Sequence, residues 1–435
     1  MNGHVVITGL GAVTPVGLGA GTFFDSLSAG VVGIRRIEAF DPGGFPCQIA
    51  AEVTGYSTRE FLPSVYRKAA KVMSRDAQLA VGAAHLAVQD AGLKTGLASP
   101  TGAAIDPNRL AVHIATGTAC TDLPELGEAM WRSTEDGRFS LARWGREGMN
   151  RLPPLWLLQS LPNMLSSHVS ILHDARGPSN TLLCGTAGGH LAVGESLRVI
   201  QRGDASVGLT GGVESQINLL GLLRQCLLKR VTTSRNDDPA GSSRPFDQDR
   251  DGMVVGEGGG LIVLEDKSTA RSRSARIYAE IIGFAATSSA YSVRDPEPDG
   301  RAIAQAIRKA LAEAKLSPAD IDLVIPHGTG IRAHDLAESI AIHAALGDHG
   351  GRVPVWPIMS QIGNTGAASG ALSLIAAVMA LQHGRIPATV NCPRPDPACG
   401  LAIVREPLAR PLRTALVFSY ALGVQNAALI LRRAE

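Results

Sequence analysis

The sequence predicts an α/β protein made of two pseudo-repeated halves, with mixed and mostly parallel sheets layered with helices. Short apolar runs typical of buried strands alternate with amphipathic helical stretches along the chain. A helix–loop–strand unit occurs twice, about 211 residues apart. Hydrophobic residues form 45% of the 435 residues and charged residues 18%, which indicates a large core rather than a disordered or fibrous chain.

The first half opens with a strand and contains the first copy of the repeated unit. Residues 5–11 form an apolar run that ends in a glycine turn. Across residues 78–93 apolar side chains recur at intervals of three and four, which predicts an amphipathic helix that ends at Gly92. Residues 110–114 are an apolar run, which predicts the strand of this unit.

The second half repeats this arrangement. Residues 301–316 predict an Ala-rich amphipathic helix, and the apolar run 321–325 leads into a His-Gly-Thr-Gly segment that begins at His327. We divide the halves in a Lys/Ser/Arg-rich stretch, giving residues 1–268 and 269–435. Residues 123–163, rich in Trp, Pro and Met, are interpreted as an insertion in the first half.

Composition excludes several classes of function. The net charge of +2 favours neither a nucleic-acid nor a membrane partner, and no apolar run reaches the roughly 18 residues of a membrane helix. The first residues lack the basic start of a signal peptide, so we expect a cytoplasmic protein. The six cysteines lack disulfide or metal-site spacing, which favours buried thiols. The glycine run 256–260 lacks the helix and Lys of a phosphate loop, so we expect no bound nucleotide, flavin or metal.

The segment from Gly177 to His190 carries the strongest functional signal. It resembles the nucleophile elbow of the β-ketoacyl synthases, the carbon–carbon bond-forming enzymes of fatty acid and polyketide synthesis. In that family a Cys stands ten residues into the segment that opens with Gly-Pro, and here this position is Thr186. A Gly-Asp pair follows seventeen residues later, at Gly203, as it does in the family. Both flanks fix this alignment, so Cys184 does not take the place of the catalytic Cys.

The resemblance covers nearly the whole chain. It implies a thiolase-like fold of two pseudo-repeated halves, in which the insertion helps to line the acyl tunnel and the dimer interface. Ordered motifs over such a length are strong support for a fold, but activity depends on the site itself. The other matching segments are residues 5–17, 161–164, 211–214, 235–237, 244–247, 250–252 and 256–260.

A condensing synthase needs a thiolate at a helix N-terminus, two His that assist decarboxylation and stabilise the oxyanion, and a nearby Lys. The first His is present as His327, with Asp335 and Glu338 on the expected following helix. The second His is replaced by Asn364 and the Lys by Met359. The later glycine-rich loop of the family is replaced by the bulkier residues 421–426.

Each replacement leaves alternatives open. Thr186 is either a helix N-cap or a nucleophile that takes His327 as its base, since an alcohol is far less acidic than a thiol. Asn364 retains the ability to donate a hydrogen bond to a carbonyl. His327 is either functional or held only by packing. Cys184 is interpreted as a buried strand residue, and His190 as a packed or partly exposed helix residue rather than a base.

The loss of three parts of one mechanism argues against an ordinary condensing enzyme. The resemblance is then to the chain-length factors, which lack the Cys and in which a Gln typically precedes Ala-Gly-Gly, where this chain has Thr186. This implies a heterodimer with a cognate Cys-containing ketosynthase and contact with an acyl carrier protein. No cofactor is expected to bind directly, because the partner delivers the phosphopantetheine arm. The alternatives are a stand-alone acyltransferase or decarboxylase that uses His327 and Asn364, with or without Thr186, or an acyl-binding module without chemistry.

Overall fold

The computed structural model describes residues 3–117, 123–421 and 425–434. Strands and helices alternate through this part of the chain. The strands are β1 (Val5–Thr14), β2 (Gly17–Leu18), β3 (Ile34–Arg36), β4 (Ile49–Ala51), β5 (Leu93–Lys94), β6 (Ala103–Ala104), β7 (Leu110–Ala115), β8 (Thr134–Glu135), β9 (Arg138–Phe139), β10 (Ser179–Leu182), β11 (Val207–Ser215), β12 (Glu257–Asp266), β13 (Ala279–Ser288), β14 (Leu323–Ile325), β15 (Pro354–Val355), β16 (Arg385–Ile386), β17 (Ala402–Ile403), β18 (Leu408–Ala409), β19 (Thr414–Tyr420) and β20 (Gln425–Arg433). The α-helices are α1 (Ala20–Ser28), α2 (Arg75–Asp90), α3 (Leu123–Arg132), α4 (Leu141–Arg143), α5 (Trp156–Ser160), α6 (Met164–His173), α7 (Gly188–Gln201), α8 (Leu219–Leu227), α9 (Lys267–Ser272), α10 (Arg301–Ala314), α11 (Arg332–Leu346), α12 (Met359–Ile362) and α13 (Ala368–His383).

One mixed sheet of twelve strands runs through the described residues. Its order is β10-β7-β11-β12-β1-β13-β20-β19-β14-β15-β17, and β2 pairs with β1. The halves meet where β1 pairs with β13, with Val5 opposite Ile281. Counted outwards from this junction, β7 and β14 are both the fourth strand, and each lies parallel to its inner neighbour. The two copies of the repeated unit therefore occupy corresponding places in the sheet.

The α/β architecture of two related halves is confirmed, but the centre of the sheet is antiparallel rather than parallel. The pairs β1–β12, β11–β12, β13–β20 and β19–β20 are all antiparallel. Parallel pairs lie towards the two edges, where helices connect the strands. The chain passes from β19 to β20 through only four residues, and a connection this short joins antiparallel neighbours.

Helices form layers on both sides of each half of the sheet. α13 and α7 lie between the halves, because both contact β11 and β12 and also contact β20. Fourteen consecutive residues of α13, Ala368 to Leu381, are buried, as expected for a helix that is apolar on all sides. α2 and α6 cover the outer face of the first half, and α10 and α11 cover that of the second. This arrangement places the start of α7 in the interior of the molecule.

Close packing of helix on strand explains two glycines of β1. A Cβ atom on Gly11 would lie 2.0 Å from the Ala83 carbonyl oxygen of α2, and one on Gly9 would lie 2.3 Å from that of Ala87. α2 begins three residues earlier than predicted, because the Ser74 side chain accepts a hydrogen bond from the Ala77 amide at its N-terminus.

The predicted insertion forms α3, the β8–β9 pair, α4 and α5, and much of its surface is exposed. The division after residue 268 falls in α9, which connects β12 to β13. That division stays a prediction. Of the six cysteines, Cys120 lies outside the described residues, three others are buried and two are half-buried. Among the helices that the structure describes, none combines the length and the apolar character needed to cross a membrane.

Candidate functional site

The elbow segment folds as a strand, a tight turn and a helix. β10 ends at Leu182, residues 185–187 form a 3-10 turn, and α7 begins at Gly188. Gly185 has a positive φ of 50°, a conformation that favours glycine. A Cβ atom on Gly189 would lie 2.6 Å from the Ala367 carbonyl oxygen, so the start of α7 packs directly against the start of α13. These contacts place Thr186 at the junction of strand and helix.

The Thr186 hydroxyl points away from α7. Its Oγ1 donates a hydrogen bond to the backbone carbonyl of Tyr420, the last residue of β19, at 2.5 Å. The residue at the N-cap position of α7 is Ala187, and no side chain caps the helix there. The prediction that Thr186 caps α7 is therefore wrong. Thr186 lies inside the 3-10 turn, which directs its side chain towards β19 rather than towards the first amides of the helix.

Thr186, His327 and Asn364 line one cavity of about 320 Å³. The structure thus brings together all three residues that the sequence proposed for the site. Thr186 lies in the 3-10 turn before α7, His327 in the loop after β14, and Asn364 in the loop after α12. The same cavity is lined by Gly117, Leu183, Gly185, Glu214, Gln216, Arg224, Gln225, Arg230, Met253, Thr329, Ile331, His334 and Tyr420.

Two buried carboxylates of α11 hold the loop that carries His327. Glu338 accepts the Gly328 amide at 3.0 Å through both oxygens, and Asp335 accepts the amides of Thr329 and Gly330 at 3.0 and 3.1 Å. Gly328 and Gly330 have φ values of 58° and 81°, which explains the two glycines of the His-Gly-Thr-Gly segment. Burial raises the pKa of Asp335 to about 6, and it raises that of Glu338 well above the usual range.

The His327 imidazole is buried and neutral at pH 7. It contacts the Tyr420 ring edge to face, with ring centroids 5.0 Å apart. Burial, followed by the nearby His334 and His190, lowers the pKa of His327 to about 3. A neutral imidazole donates a hydrogen bond at one ring nitrogen and accepts one at the other, so His327 has the chemistry to polarise a carbonyl.

Asn364 presents its amide group to the same cavity. Its Oδ1 accepts the Gly366 amide at 3.0 Å, and its Nδ2 lies 3.4 Å from the Met253 sulfur, which is a weak acceptor. The amide hydrogens therefore have no strong partner among the described residues and are suited to donate to a carbonyl. Met359 is buried at the start of α12 and supplies no cation there.

Neither Cys184 nor His190 is arranged as a reactive group. Cys184 is half-buried, does not line the cavity, and has a pKa raised by burial, which disfavours the thiolate. His190 is fully buried in α7, where its Nδ1 lies 2.8 Å from the Ser419 hydroxyl. Burial lowers the pKa of His190 to about 3. His190 is a packed helix residue, as predicted. The prediction that Cys184 is a buried strand residue is wrong, because β10 ends at Leu182 and Cys184 follows it, half-buried.

Several site residues carried no signal in the sequence analysis. Tyr420 both accepts the Thr186 hydroxyl and packs on His327, yet it reads in sequence as an ordinary strand residue. Glu214 was noted only as part of a matching segment, and Arg230 and His334 were not singled out. His334 follows His327 by seven residues and is the third residue of α11. Of the glycine-rich loop 421–426, residues 422–424 lie outside the described residues.

The chain is similar to known proteins over nearly all its length. The family model "Beta-ketoacyl synthase, N-terminal domain" matches residues 2–270, and "Beta-ketoacyl synthase, C-terminal domain" matches residues 278–393. The 3-oxoacyl-[acyl-carrier-protein] synthase 2 of Synechocystis sp. is 34% identical over 431 residues, which are 99% of this chain and 98% of the relative. The tetracenomycin polyketide synthase ketoacyl synthase alpha subunit of Streptomyces glaucescens is 36% identical over 435 residues, with 99% and 98% coverage.

A solved structure shows the same likeness in three dimensions. The ishigamide ketosynthase/chain length factor superposes with a TM-score of 0.85 at 29% identity, and the match covers 100% of both chains. The architecture is thus the thiolase-like α/β fold that the motifs implied. From the two family models and this likeness, the chain belongs to the β-ketoacyl synthase family.

Proposed function

We propose that this chain is a condensation-deficient β-ketoacyl synthase homologue that acts as the partner of a Cys-containing ketosynthase. In this role it resembles a chain-length factor: it pairs with the active chain and helps to shape the acyl tunnel at their interface. One observation carries the proposal. At the position of the nucleophile, the Thr186 hydroxyl donates its single proton to the Tyr420 carbonyl rather than to a base.

The rest of the site supports a role without condensation. Among the described residues, no imidazole or carboxylate lies within hydrogen-bonding distance of the Thr186 oxygen. Asn364 cannot carry a proton or a charge as the family's second His does, and Met359 supplies no cation. A half-buried alcohol without a base is a poor acyl acceptor at neutral pH.

The surface of the first half supports a protein partner. β10 ends the sheet, with β7 as its one neighbour in the described chain, and Ser179 and Asn180 on it are exposed. An open strand edge offers backbone groups for pairing with another chain. The insertion exposes large apolar side chains as well, with Leu141 76% and Trp131 70% exposed. Exposed apolar groups of this kind are typical of interaction surfaces.

The names of the relatives indicate the kind of pathway. One relative is a 3-oxoacyl-[acyl-carrier-protein] synthase, one is a polyketide ketoacyl synthase alpha subunit, and one structure is a ketosynthase/chain length factor. From these names we infer that the chain takes part in type II polyketide or fatty acid biosynthesis, with an acyl carrier protein as a further partner. Its phosphopantetheine arm arrives as part of the substrate. The exposed cations Arg67, Lys68 and Lys71 on the 3-10 helix Ser64–Val72 suit an acidic carrier protein.

Co-expression with the Cys-containing ketosynthase of the same gene neighbourhood tests the pairing. We expect a 1:1 complex by native mass spectrometry. Leu141→Ser should weaken it, because this side chain is exposed on the insertion, whereas Leu97→Ser, an exposed leucine outside the insertion, should leave it intact. A stable homodimer that does not bind the ketosynthase would contradict the proposal.

The second candidate is a stand-alone acyltransferase or decarboxylase, and it is favoured by one observation. Thr186, His327 and Asn364 line the same cavity, so a carbonyl in it could receive a hydrogen bond from Asn364 beside a neutral imidazole. This candidate predicts turnover of malonyl- or acyl-carrier protein by the isolated chain. It also predicts that His327→Ala abolishes that turnover.

A further inference from the structure

Three exposed arginines lie together where β19 begins and β20 ends. Arg413 directly precedes β19, and Arg432 and Arg433 are the last residues of β20. The Arg433 amide donates to the Arg413 carbonyl at 2.8 Å, which continues the β19–β20 pairing by one residue. We call these three residues the strand-end arginines.

Arg413 and Arg433 form a pair of like charges on neighbouring strands. Residues directly opposite each other in an antiparallel pair have Cβ atoms about 5 Å apart, and like charges in such a pair repel each other. Within the described chain, neither side chain takes part in an ion pair or a hydrogen bond. An anion that binds both guanidinium groups would remove this repulsion.

The acidic side chain beside Arg413 is already engaged. Asp322 accepts the backbone amides of Arg413 and Thr414 at 2.8 and 3.0 Å through Oδ2. Its Oδ1 lies 4.0 Å from the guanidinium of Arg410. The charge of Asp322 is therefore shared between backbone amides and another arginine.

The acidic side chain opposite Arg432 is engaged as well. Glu280 lies opposite Arg432 in the pairing of β13 with β20. Its Oε1 pairs with His4 and its Oε2 with Lys267. The strand-end arginines therefore retain positive charge that a ligand can neutralise.

The strand-end arginines lie at the other end of β19 from the Thr186 cavity. Tyr420, the last residue of β19, lines that cavity, whereas Arg413 stands before the first residue of this strand. At about 3.3 Å per residue the two ends are roughly 23 Å apart. β10 lies at one edge of the sheet, with several strands between it and β20. The arginines thus form a surface separate from the cavity and from β10.

The number and the type of these charges favour one kind of partner. Arginine presents a planar fork of donors that suits carboxylate groups. Three cations are fewer than the roughly 6–10 phosphate contacts of many DNA-binding proteins, and fewer than the roughly 4–8 cations of segments that bind anionic lipids. An acidic protein segment needs only a few carboxylates to match them.

We propose that the strand-end arginines bind an acidic segment of another protein. Its Asp or Glu carboxylates bridge Arg413 and Arg433 on one face of the sheet. Successive residues of a strand point to opposite faces, so a segment that crosses the strand ends also meets Arg432. This inference goes beyond the proposed function, which places the ketosynthase at β10 and the insertion, and the carrier protein at the 3-10 helix Ser64–Val72.

Fluorescence anisotropy with the purified full-length chain tests this surface. The probe is a fluorescein-labelled peptide of alternating Glu and Ala, and its matched control has Gln in place of each Glu. We expect the Glu peptide to bind at about 50 mM salt, more weakly at about 500 mM because salt screens exposed charges, and the Gln peptide not to bind. Combining Arg413→Gln, Arg432→Gln and Arg433→Gln should weaken binding about 10-fold, as expected for the loss of three exposed ion pairs.

A second triple variant is the control. Lys94→Gln, Lys309→Gln and Arg352→Gln remove the same number of exposed charges elsewhere and should leave binding within about twofold.

The proposal is overturned if the Glu and Gln peptides bind equally, if neither binds, or if both triple variants lose the same affinity. It is also overturned if duplex DNA or phosphatidylserine vesicles, rather than the Glu peptide, require the strand-end arginines. The comparison of the two peptides needs no variant, so a failure of either variant to fold leaves the test intact. It needs no ketosynthase either, so its outcome is independent of the pairing experiment.

Discussion

The Thr186 hydroxyl donates a hydrogen bond of 2.5 Å to the backbone carbonyl of Tyr420. This contact ties the turn before α7 to the end of β19, and so it joins the two halves of the molecule beside the cavity that His327 and Asn364 also line. It also occupies the proton that a base would have to remove. In this chain the elbow is therefore better suited to hold structure than to accept an acyl group.

This contact predicts a modest and specific effect on stability. Thr186→Ala leaves the Tyr420 carbonyl without its donor, which should lower the free energy of unfolding by about 1 kcal/mol. Thr186→Ser keeps the hydroxyl and should lose less than half of that. Urea denaturation followed by circular dichroism measures both. Equal stability of the Ala and Ser variants would show that the hydrogen bond contributes nothing.

The buried His327 predicts a dependence of stability on pH. Its folded-state pKa of about 3 lies below the ordinary value of 6.5, so between these values only the unfolded chain takes up the proton. The contribution of neutral His327 to the free energy of unfolding is complete above pH 6.5. It is lost as the pH falls, with a slope of about 1.4 kcal/mol per pH unit.

His327→Asn removes this titrating group. The unfolding free energy of the variant should therefore fall less steeply than that of wild type between pH 6 and pH 4, while the two slopes agree above pH 7.5. Denaturation curves at each pH measure this difference. Parallel slopes across the whole range would contradict the neutral, buried imidazole.

The buried Glu214 predicts that stability changes with pH in the opposite direction to the effect of His327. Burial, and then the neighbouring Asp76, raise its pKa to about 7 from an ordinary 4.5, so at pH 8 the folded chain carries an unfavourable buried charge. Glu214→Gln keeps an oxygen to accept the Ala367 amide and should stabilise the fold at pH 8 by on the order of 2–3 kcal/mol. The gain should shrink as the pH falls towards 5. Destabilisation at pH 8 would indicate that the carboxylate charge is needed.

The contact between β1 and α2 predicts that adding one methyl group at Gly11 greatly lowers the stability of the fold. A Cβ on Gly11 would lie 2.0 Å from the Ala83 carbonyl oxygen, so Gly11→Ala should push α2 away from β1. The free energy of unfolding should fall by roughly 3 kcal/mol. Gly21 in α1 is a matched control, because a Cβ there meets nothing within 4 Å. Gly21→Ala should be neutral or stabilising by up to about 1 kcal/mol. Thermal unfolding of both variants measures the contrast, and similar melting temperatures would refute it.

Much of the fold follows from local pattern. The helical periodicity of residues 78–93 and 301–316 identified α2 and α10, and the spacing between the two units placed β7 and β14 in equivalent positions. The antiparallel centre of the sheet was missed, because strand direction depends on how connections fold back in space rather than on periodicity.

The site was predicted only in part, because motifs reveal some of its residues and tertiary contacts define the others. Motif alignment brought Thr186, His327 and Asn364 to one cavity, since each lies at a fixed distance from a glycine pattern. The capping role of Thr186 was predicted wrongly, because a hydroxyl near a helix start has several reachable acceptors and only the tertiary structure selects one. Arg230 and Tyr420 could not be found, since their importance comes from burial and from partners distant in sequence.

In the proposed function this chain lacks a working nucleophile and serves a partner that has one. Malonyl-carrier-protein-dependent condensation by the reconstituted pair of this chain and its neighbouring ketosynthase tests this. We predict that neither chain condenses alone, that the pair does, and that Thr186→Ala in this chain leaves the rate within about twofold while Cys→Ala in the ketosynthase abolishes it. Condensation by this chain alone, lost on Thr186→Ala, would show that Thr186 is a working nucleophile.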